Sequence, residues 1–204
     1  MTTIVLLILS IALLFFSYKY FFPNRANQFR PFDKQFYNRE ESSPYERNSS
    51  KEKGDDFEKF VLKLFDFESE RFVLKEWRSD KFFDGIYPKS NHYPDFEIQL
   101  NTRNGFKVFA VECKYRSNWN QDGTITWAKN SQINNYENYS NQKDIPVFIV
   151  LGVGGIPKVP EEVYIFSMEN VGFKALINCN YLQRFKRESA SASLFYDAIY
   201  KRLK

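Results

Sequence analysis

Two alternating segments around an Asn-Gly pair constrain the fold of this 204-residue chain more than any other feature. Residues 94–100 (PDFEIQL) and residues 106–115 (FKVFAVECKY) alternate polar and apolar side chains, which is the period-two pattern of half-buried β-strands. The Asn104-Gly105 pair between them is favoured in the tight turns that join antiparallel strands. The sequence therefore predicts an antiparallel hairpin with one apolar face and one polar face.

The polar face of this hairpin gathers charged side chains. Joining the two apolar faces requires paired residues whose numbers have an odd sum, because side chains alternate between the faces of a sheet. A turn on Arg103-Asn104 pairs Asp95 with Glu112. A turn on Asn104-Gly105 pairs Asp95 with Lys114 instead. In both registers two carboxylates and one ammonium group share a face, within one or two pair positions of each other.

This charge pattern suits the hydrolysis of phosphodiester bonds. Two convergent carboxylates can hold Mg²⁺, a hard cation that takes oxygen ligands and keeps several waters, and Mn²⁺ can substitute for it. Such a metal lowers the pKa of a bound water and neutralises charge on phosphate oxygens. A nearby lysine can orient that water or stabilise the transition state. The alternative interpretation of the same three residues is a solvated strand face with a surface ion pair.

The scarcity of histidine and cysteine excludes other kinds of site. The chain has one His, at position 92, and two Cys, at positions 113 and 179. A zinc site built only from Cys and His needs four such ligands, which these residues cannot supply. A hydrolytic triad would have to use His92 as its base, and we interpret His92 as a loop residue without a role. Acid–base chemistry in this chain therefore rests on carboxylates, and we expect both thiols to be structural.

The remaining periodicity predicts a mixed α/β domain. Helical spacing indicates helices at 54–66, 127–141 and about 191–203. Strand patterns outside the hairpin indicate strands at 71–77, 146–153 and 162–168. The resulting order, α-β-β-β-α-β, places an antiparallel hairpin before a helix and a further strand, and so predicts a mixed sheet.

The hairpin residues resemble the PD-(D/E)xK nuclease superfamily, whose restriction-endonuclease-like fold has the same order of elements. The motif is matched by Pro94-Asp95 and by Glu112-Cys113-Lys114, both on the predicted hairpin. Two further segments agree with the resemblance. Gly54-Asp-Asp-Phe57-Glu58 is similar to the G-x-x-F-E segment that opens the first helix in many members, and Gln132 and Tyr136 are similar to a Q-x-x-x-Y element.

The resemblance covers residues 54–168 and implies a set of site residues. The groups that it implies at the metal are Asp95, Glu112, the Cys113 carbonyl and Glu58. It further implies Lys114 as the catalytic lysine, Gln132 as a catalytic positioning residue and Tyr136 as a nucleic-acid contact. The implied activity is that of a Mg²⁺-dependent nuclease acting on DNA. The alternative is a catalytically silent module of the same fold that binds nucleic acid or a partner at a membrane.

An uncharged apolar run lies near the start of the sequence. Residues 4–18 (IVLLILSIALLFFSY) are too short as a helix for a hydrocarbon core of about 30 Å, whereas a helix continued through residue 22 reaches about 28 Å. We predict an uncleaved transmembrane anchor at residues 1–22. The alternatives are a signal peptide, whose cleavage would release an exported nuclease, and a buried core helix. Because several Lys and Arg follow the run and none precedes it, the positive-inside rule places the C-terminal part in the cytoplasm.

Composition and charge divide the rest of the chain. Residues 23–53 carry Asn, Ser, Pro and mixed charges, which predicts a flexible tether beside anionic lipid. Residues 54–204 form the predicted nuclease-like domain, with a core over 54–168 and a basic helical tail over 174–204. The tail carries seven basic and two acidic side chains, and we predict that it contacts the phosphate backbone. The candidate residues are Arg184, Lys186, Arg187, Lys201, Arg202 and Lys204. The oligomeric state stays open, and a dimer is compatible with the sequence.

Overall fold

The computed structural model describes residues 50–78, 92–197, 200 and 202–204. All of them belong to one compact unit, Pro44–Lys204. The predicted anchor at residues 1–22 and most of the predicted tether lie outside the described residues. Within the described ranges, no helix has the length and apolar character that crossing a bilayer would need.

The elements predicted over residues 54–168 occur in the predicted order, with further short elements among and after them. The α-helices are α1 (Ser50–Lys63), α2 (Asn130–Lys143) and the short α3 (Cys179–Leu182). The strands are β1 (Phe72–Trp77), β2 (Phe96–Thr102), β3 (Gly105–Arg116), β4 (Thr124–Thr126), β5 (Val147–Val153), β6 (Glu162–Ser167), β7 (Leu176–Asn178), β8 (Tyr196–Asp197) and β9 (Arg202–Leu203). The predicted α-β-β-β-α-β order is confirmed by α1, β1, β2, β3, α2 and β5. The first helix begins at residue 50 rather than 54, so the end of the predicted tether is helical.

Five strands form one mixed sheet, in the order β1-β2-β3-β5-β6. β3 and β5 run parallel, and the other neighbours run antiparallel. The α2 helix lies in the connection between the two parallel strands, which need a long crossover. This mixed sheet is consistent with the restriction-endonuclease-like fold predicted from the sequence.

The hairpin adopts the first of the two predicted registers. Thr102 pairs with Gly105 and Phe96 pairs with Val111, so the turn lies on residues 103–104. Continuing this register by one residue brings Asp95 opposite Glu112. The turn therefore decides which of the charged side chains face each other across the strands.

Helices cover both faces of the sheet. The residues that α1 buries against the apolar hairpin face are Phe57, Val61 and Leu62. Those that α2 buries on the opposite face are Ile133, Tyr136 and Tyr139. Every residue of β5 is buried between these layers, which explains why 147–153 has a continuous apolar sequence. The polar face of the hairpin lies under α2, so it is not the solvated strand face of the alternative interpretation.

Close packing of α1 on the sheet depends on Gly152 in β5. A Cβ atom at this position would lie 2.4 Å from Cε2 of the buried Phe57 ring. We expect Gly152→Ala to lower the free energy of unfolding of the full chain by about 1–3 kcal/mol, because the ring has no room to move within the core. Chemical denaturation measures this change.

A matched control lies in α1 itself. A Cβ atom at Gly54 would have no other atom within 4 Å. Gly54→Ala is therefore expected to stabilise the protein by about 0.5–1 kcal/mol, through the better helix propensity of alanine. Equal unfolding midpoints for the Gly152 variant and the unmodified chain would contradict the packing argument.

The final helix predicted over 191–203 is wrong in the described residues of that segment, so the predicted helical tail over 174–204 has its α-helix only at α3 among the described residues. Within this segment Tyr196–Asp197 and Arg202–Leu203 form the short antiparallel pair β8 and β9, in which Tyr196 pairs with Leu203. Leu194, Tyr196 and Leu203 are buried, and the Tyr196 ring stacks on Phe109 with ring centroids 5.1 Å apart. Leu194 and Tyr196 are alternate residues that are both buried, which suits an extended chain. Packing on the core thus outweighs the helical spacing of the sequence.

Candidate active site

The Asp95 carboxylate is fixed against the backbone of β3. Its Oδ2 atom accepts a hydrogen bond from the Cys113 amide, at 2.7 Å. Continuing the hairpin register places Pro94 opposite Cys113. Because proline has no N–H, the ladder supplies no donor for the Cys113 carbonyl at this position. The Pro-Asp pair thus ends the hydrogen-bonded ladder and places a carboxylate beside a backbone oxygen without a ladder partner.

Glu112 is buried, with 2% of its surface exposed. Its Oε1 atom accepts a hydrogen bond from the Tyr136 hydroxyl at 2.6 Å and forms an ion pair with the Lys114 ammonium. Its Oε2 atom is buried without a hydrogen-bond partner. A buried carboxylate oxygen in this state is costly unless another group satisfies it.

Negative charges converge on Asp95. Burial raises the pKa of its carboxyl well above the usual range, and the charges of Glu112 and Glu58 raise it further. Lys114 and the Cys113 amide act in the opposite direction and do not offset this increase. Glu58 belongs to α1, where its Oε2 atom accepts a hydrogen bond from the indole nitrogen of Trp77 at 2.8 Å. The ionised form of Asp95 is therefore unfavourable unless a further cation accompanies that of Lys114.

Lys114 supplies a cation to this cluster. Burial acts to lower the pKa of its ammonium, but the charges of Glu112 and Asp95 raise it above the usual value. The ammonium also lies 5.9 Å from the centre of the Tyr136 ring. Lys114 therefore stays protonated at neutral pH and is a hydrogen-bond donor rather than a base.

Comparison with solved structures finds the Holliday junction resolvase Hjc of the archaeal hyperthermophile Archaeoglobus fulgidus. The two chains share 13% sequence identity with a TM-score of 0.42, over 64% of this chain and 93% of the resolvase chain. No family model and no curated protein matches the chain. A likeness this distant carries no argument about chemistry, which rests instead on the residues of the site.

The donor set around Asp95 and Glu112 fits a hard divalent cation. Two carboxylates and a backbone carbonyl are oxygen ligands, and Mg²⁺ is commonly bound by one or two carboxylates together with waters and substrate phosphates. The unpartnered Oε2 atom of Glu112 is the group that such an ion would satisfy. Across residues 50–78 and 92–197, no three His, Cys, Asp or Glu side chains are arranged to hold a metal on their own. Glu58 is an electrostatic neighbour of Asp95, and its role at the metal stays a prediction.

A second buried glutamate lies on the same face, and the sequence analysis did not predict its role. Glu97 accepts a hydrogen bond from the Tyr139 hydroxyl at 2.6 Å. Its Oε2 atom also lies 3.5 Å from both Arg78 Nη2 and Lys143 Nζ. Burial acts to raise the pKa of Glu97, but Tyr139 and the two cations lower it overall. Glu97 is a compensated structural carboxylate, whereas Glu112 keeps an unsatisfied oxygen.

The Glu97 cluster also supports the start of β2. Arg78 Nη1 donates a hydrogen bond to the Pro94 carbonyl at 2.9 Å. The spacing of Tyr136 and Tyr139 was the available signal for both clusters, because residues three apart share a helix face. Each tyrosine hydroxyl reaches one buried glutamate of the hairpin.

Both residues of the Q-x-x-x-Y element make contacts within the protein, and their predicted roles in catalysis and nucleic-acid binding stay predictions. Gln132 Oε1 accepts a hydrogen bond from the Lys129 amide at 3.0 Å, so its side chain caps the first turn of α2. Tyr136 lies in the interior with 3% of its surface exposed, and its hydroxyl contacts Glu112. Its ring is therefore not on the surface where nucleic acid would stack. His92 contacts Asn135 at 2.9 Å, and both cysteines are free thiols.

Those basic residues predicted to bind phosphate that the structure describes lie beyond β6 rather than beside the carboxylates, and Lys201 lies outside the described residues. Arg184 stacks over Tyr181, with its guanidinium 4.3 Å from the ring centre. Lys186 forms an ion pair with Glu162 at the start of β6. Arg187 donates through its backbone to Val163, at 2.8 Å, and so lies against the β6 edge. These residues form a separate basic region of the molecule.

Proposed function

We propose that this chain is a divalent-metal-dependent nuclease that hydrolyses phosphodiester bonds of DNA. The observation that carries the proposal is the unsatisfied Oε2 atom of buried Glu112 beside Asp95, whose ionised form is unfavourable. A fold that retains two such carboxylates beside a protonated lysine is arranged for a cation and a phosphate. Its stability alone would favour apolar or neutral side chains at these positions.

Each residue of the cluster has a distinct part in the proposed mechanism. Asp95, Glu112 and the Cys113 carbonyl would hold the metal, which when bound supplies a water of lowered pKa and neutralises phosphate charge. Tyr136 holds one oxygen of Glu112 and leaves the other free for the cation. Lys114, as a protonated donor, stabilises the charge that develops on the phosphate oxygens during attack.

Support for DNA as the substrate comes from the PD-(D/E)xK resemblance and from the basic region beyond β6. We further propose that residues 1–22 anchor the chain in a membrane and that residues 54–204 face the cytoplasm. The apolar run, the basic residues that follow it and the tether composition of residues 23–53 support this placement. A dimer is compatible with both proposals.

Cleavage of plasmid DNA by the full chain tests the proposal. In detergent buffer at neutral pH, we expect nicking or linearisation with Mg²⁺ or Mn²⁺ and none with EDTA. A preparation of the Glu112→Gln variant, purified in the same way, controls for a contaminating nuclease. Binding of DNA without cleavage under any of these conditions would favour the catalytically silent module instead.

A further inference from the structure

A cavity of about 650 Å³ lies beside β6, on the far side of β5 from the carboxylates. Its apolar wall is formed by Phe148, Ile165, Phe166 and Phe185. Its basic wall is formed by Arg184, Lys186, Arg187, Arg202 and Lys204, and the acidic residue on it is Glu188. A volume of this size lies within the range of pockets that bind small organic ligands.

Three of the basic residues that line this cavity are arginines. Among the residues that the structure describes, no carboxylate forms an ion pair with Arg184, Arg187 or Arg202. The two lysines differ, because Lys186 pairs with Glu162 and Lys204 lies 3.5 Å from Asp197. The cavity therefore presents guanidinium groups whose charge the described protein does not neutralise.

The charge of Arg187 is the least favourable of the three, because its guanidinium is partly buried. Nη2 donates to the Ala192 carbonyl at 2.6 Å, while Nη1 is buried without a hydrogen-bond partner. Burial lowers the pKa of Arg187, and no neighbouring acid acts against this change. Placing a cation in such surroundings is unfavourable unless an anion accompanies it.

We propose that this cavity binds the phosphate group of a nucleotide. Arginine matches phosphate oxygens with paired hydrogen bonds. The exposed Tyr181 and the half-buried Phe185 also line the cavity and provide a surface for the base and sugar. The rings of Tyr181 and Phe185 lie side by side there, with centroids 5.9 Å apart. The phosphate belongs either to a nucleic-acid strand or to a free nucleotide. The first of these two sources rests on the nuclease function proposed above.

The sheet register relates the cavity to the carboxylates. Glu112 pairs with Ile149 of β5, and Ile149 pairs with Phe166 of β6, which lines the cavity. Two strand spacings separate Glu112 from Phe166, which is about 10 Å. The carboxylates and the cavity therefore lie on neighbouring parts of the same sheet.

Binding of a short fluorescent single-stranded oligonucleotide to the full chain in EDTA tests this inference without cleavage. Arg184→Gln combined with Arg202→Gln removes two exposed cavity cations. We expect about 10- to 100-fold weaker binding, and a slope of log affinity against log salt that is smaller by about 0.7 to 1.4. Arg103→Gln, in the hairpin turn outside the cavity, is the matched control and should bind nearly as the unmodified chain does.

Competition then identifies the source of the phosphate. If a mononucleotide displaces the oligonucleotide from the unmodified chain but not from the double variant, the cavity binds a free nucleotide. Displacement by unlabelled oligonucleotide alone assigns it to a strand. Unchanged affinity in the double variant, or an equal loss in Arg103→Gln, would overturn the inference. Because EDTA removes the metal, loss of binding in the double variant supports the cavity even if the carboxylates prove not to cleave DNA.

An NMR titration tests the same site in the unmodified chain, so it does not require that a variant folds. Titrating the unmodified chain with the same oligonucleotide should shift the side-chain NMR resonances of Arg187. Resonances that stay constant at saturation would contradict the proposed site.

Discussion

Glu112→Gln should lower the rate of metal-dependent DNA cleavage by about 10²–10³-fold, whereas Glu97→Gln should change the rate per folded molecule by less than about threefold. The substitution at Glu112 removes the negative charge that would bind the metal cation and that forms the ion pair with Lys114. At Glu97 the same substitution alters a carboxylate whose partners are Tyr139, Arg78 and Lys143. Initial rates on plasmid DNA at saturating Mg²⁺, normalised to folded protein, measure the difference.

The two glutamates form a closely matched pair. Both are buried on the same face of the hairpin, and both accept a hydrogen bond from a tyrosine of α2. Glutamine has the same shape in either place, so a difference in cleavage reports the chemistry of the position. We also expect Glu97→Gln to lower the melting temperature, because it leaves Arg78 and Lys143 without their shared charge partner. Equal loss of cleavage in both variants would mean that Glu112 has no special role.

Alternation along the hairpin was sufficient to predict which charged residues share a face. The side-chain period of a strand is two, so any register that joined the apolar faces also joined Asp95, Glu112 and Lys114. The choice between the two registers depended on the turn, and the Asn104-Gly105 pair alone did not decide it. In the observed register the turn lies on Arg103-Asn104, and Gly105 is the first residue of β3.

The surroundings of this face could not be predicted, because they depend on contacts between distant elements. Tyr136 reaches Glu112 and Tyr139 reaches Glu97 only once α2 has packed on the sheet. Pairing of the basic residues has the same origin. The sequence showed the excess of basic residues but not their contacts. In the structure Lys186 forms an ion pair with Glu162 at the start of β6, whereas the Arg184 guanidinium lies over the Tyr181 ring.

The helix prediction for residues 191–203 was wrong for a related reason. Its apolar residues fit a helical period in the sequence as well as a strand period, so spacing alone did not separate the two. Stacking of Tyr196 on Phe109, a core residue of β3, favours the extended form. The end of the chain therefore contributes Leu194, Tyr196 and Leu203 to the hydrophobic core.

Asp95→Asn should raise the melting temperature of the metal-free protein by roughly 2–6 °C while abolishing the stabilisation that Mg²⁺ or Mn²⁺ gives. The pKa of Asp95 in the folded protein is well above its ordinary value because of burial and the charges of Glu112 and Glu58. The folded state therefore holds this proton more tightly than the unfolded state does, and stability falls as pH rises from the unfolded pKa towards the folded one. Asparagine removes that loss and can still accept the hydrogen bond from the Cys113 amide.

Thermal melts of the full chain in EDTA and in excess Mn²⁺ measure both effects, and a pH series in EDTA separates them. The unmodified chain should lose stability between acidic and neutral pH at this site, and the variant should lose less. In excess Mn²⁺ the order should reverse, because a bound cation stabilises the ionised carboxylate of the unmodified chain only. A variant that melts below the unmodified chain in EDTA, or that gains as much from Mn²⁺, would show that Asp95 is a structural carboxylate like Glu97. The opposite signs in the two buffers are what a structural role cannot produce, since a lost packing or hydrogen-bond contact lowers stability in both.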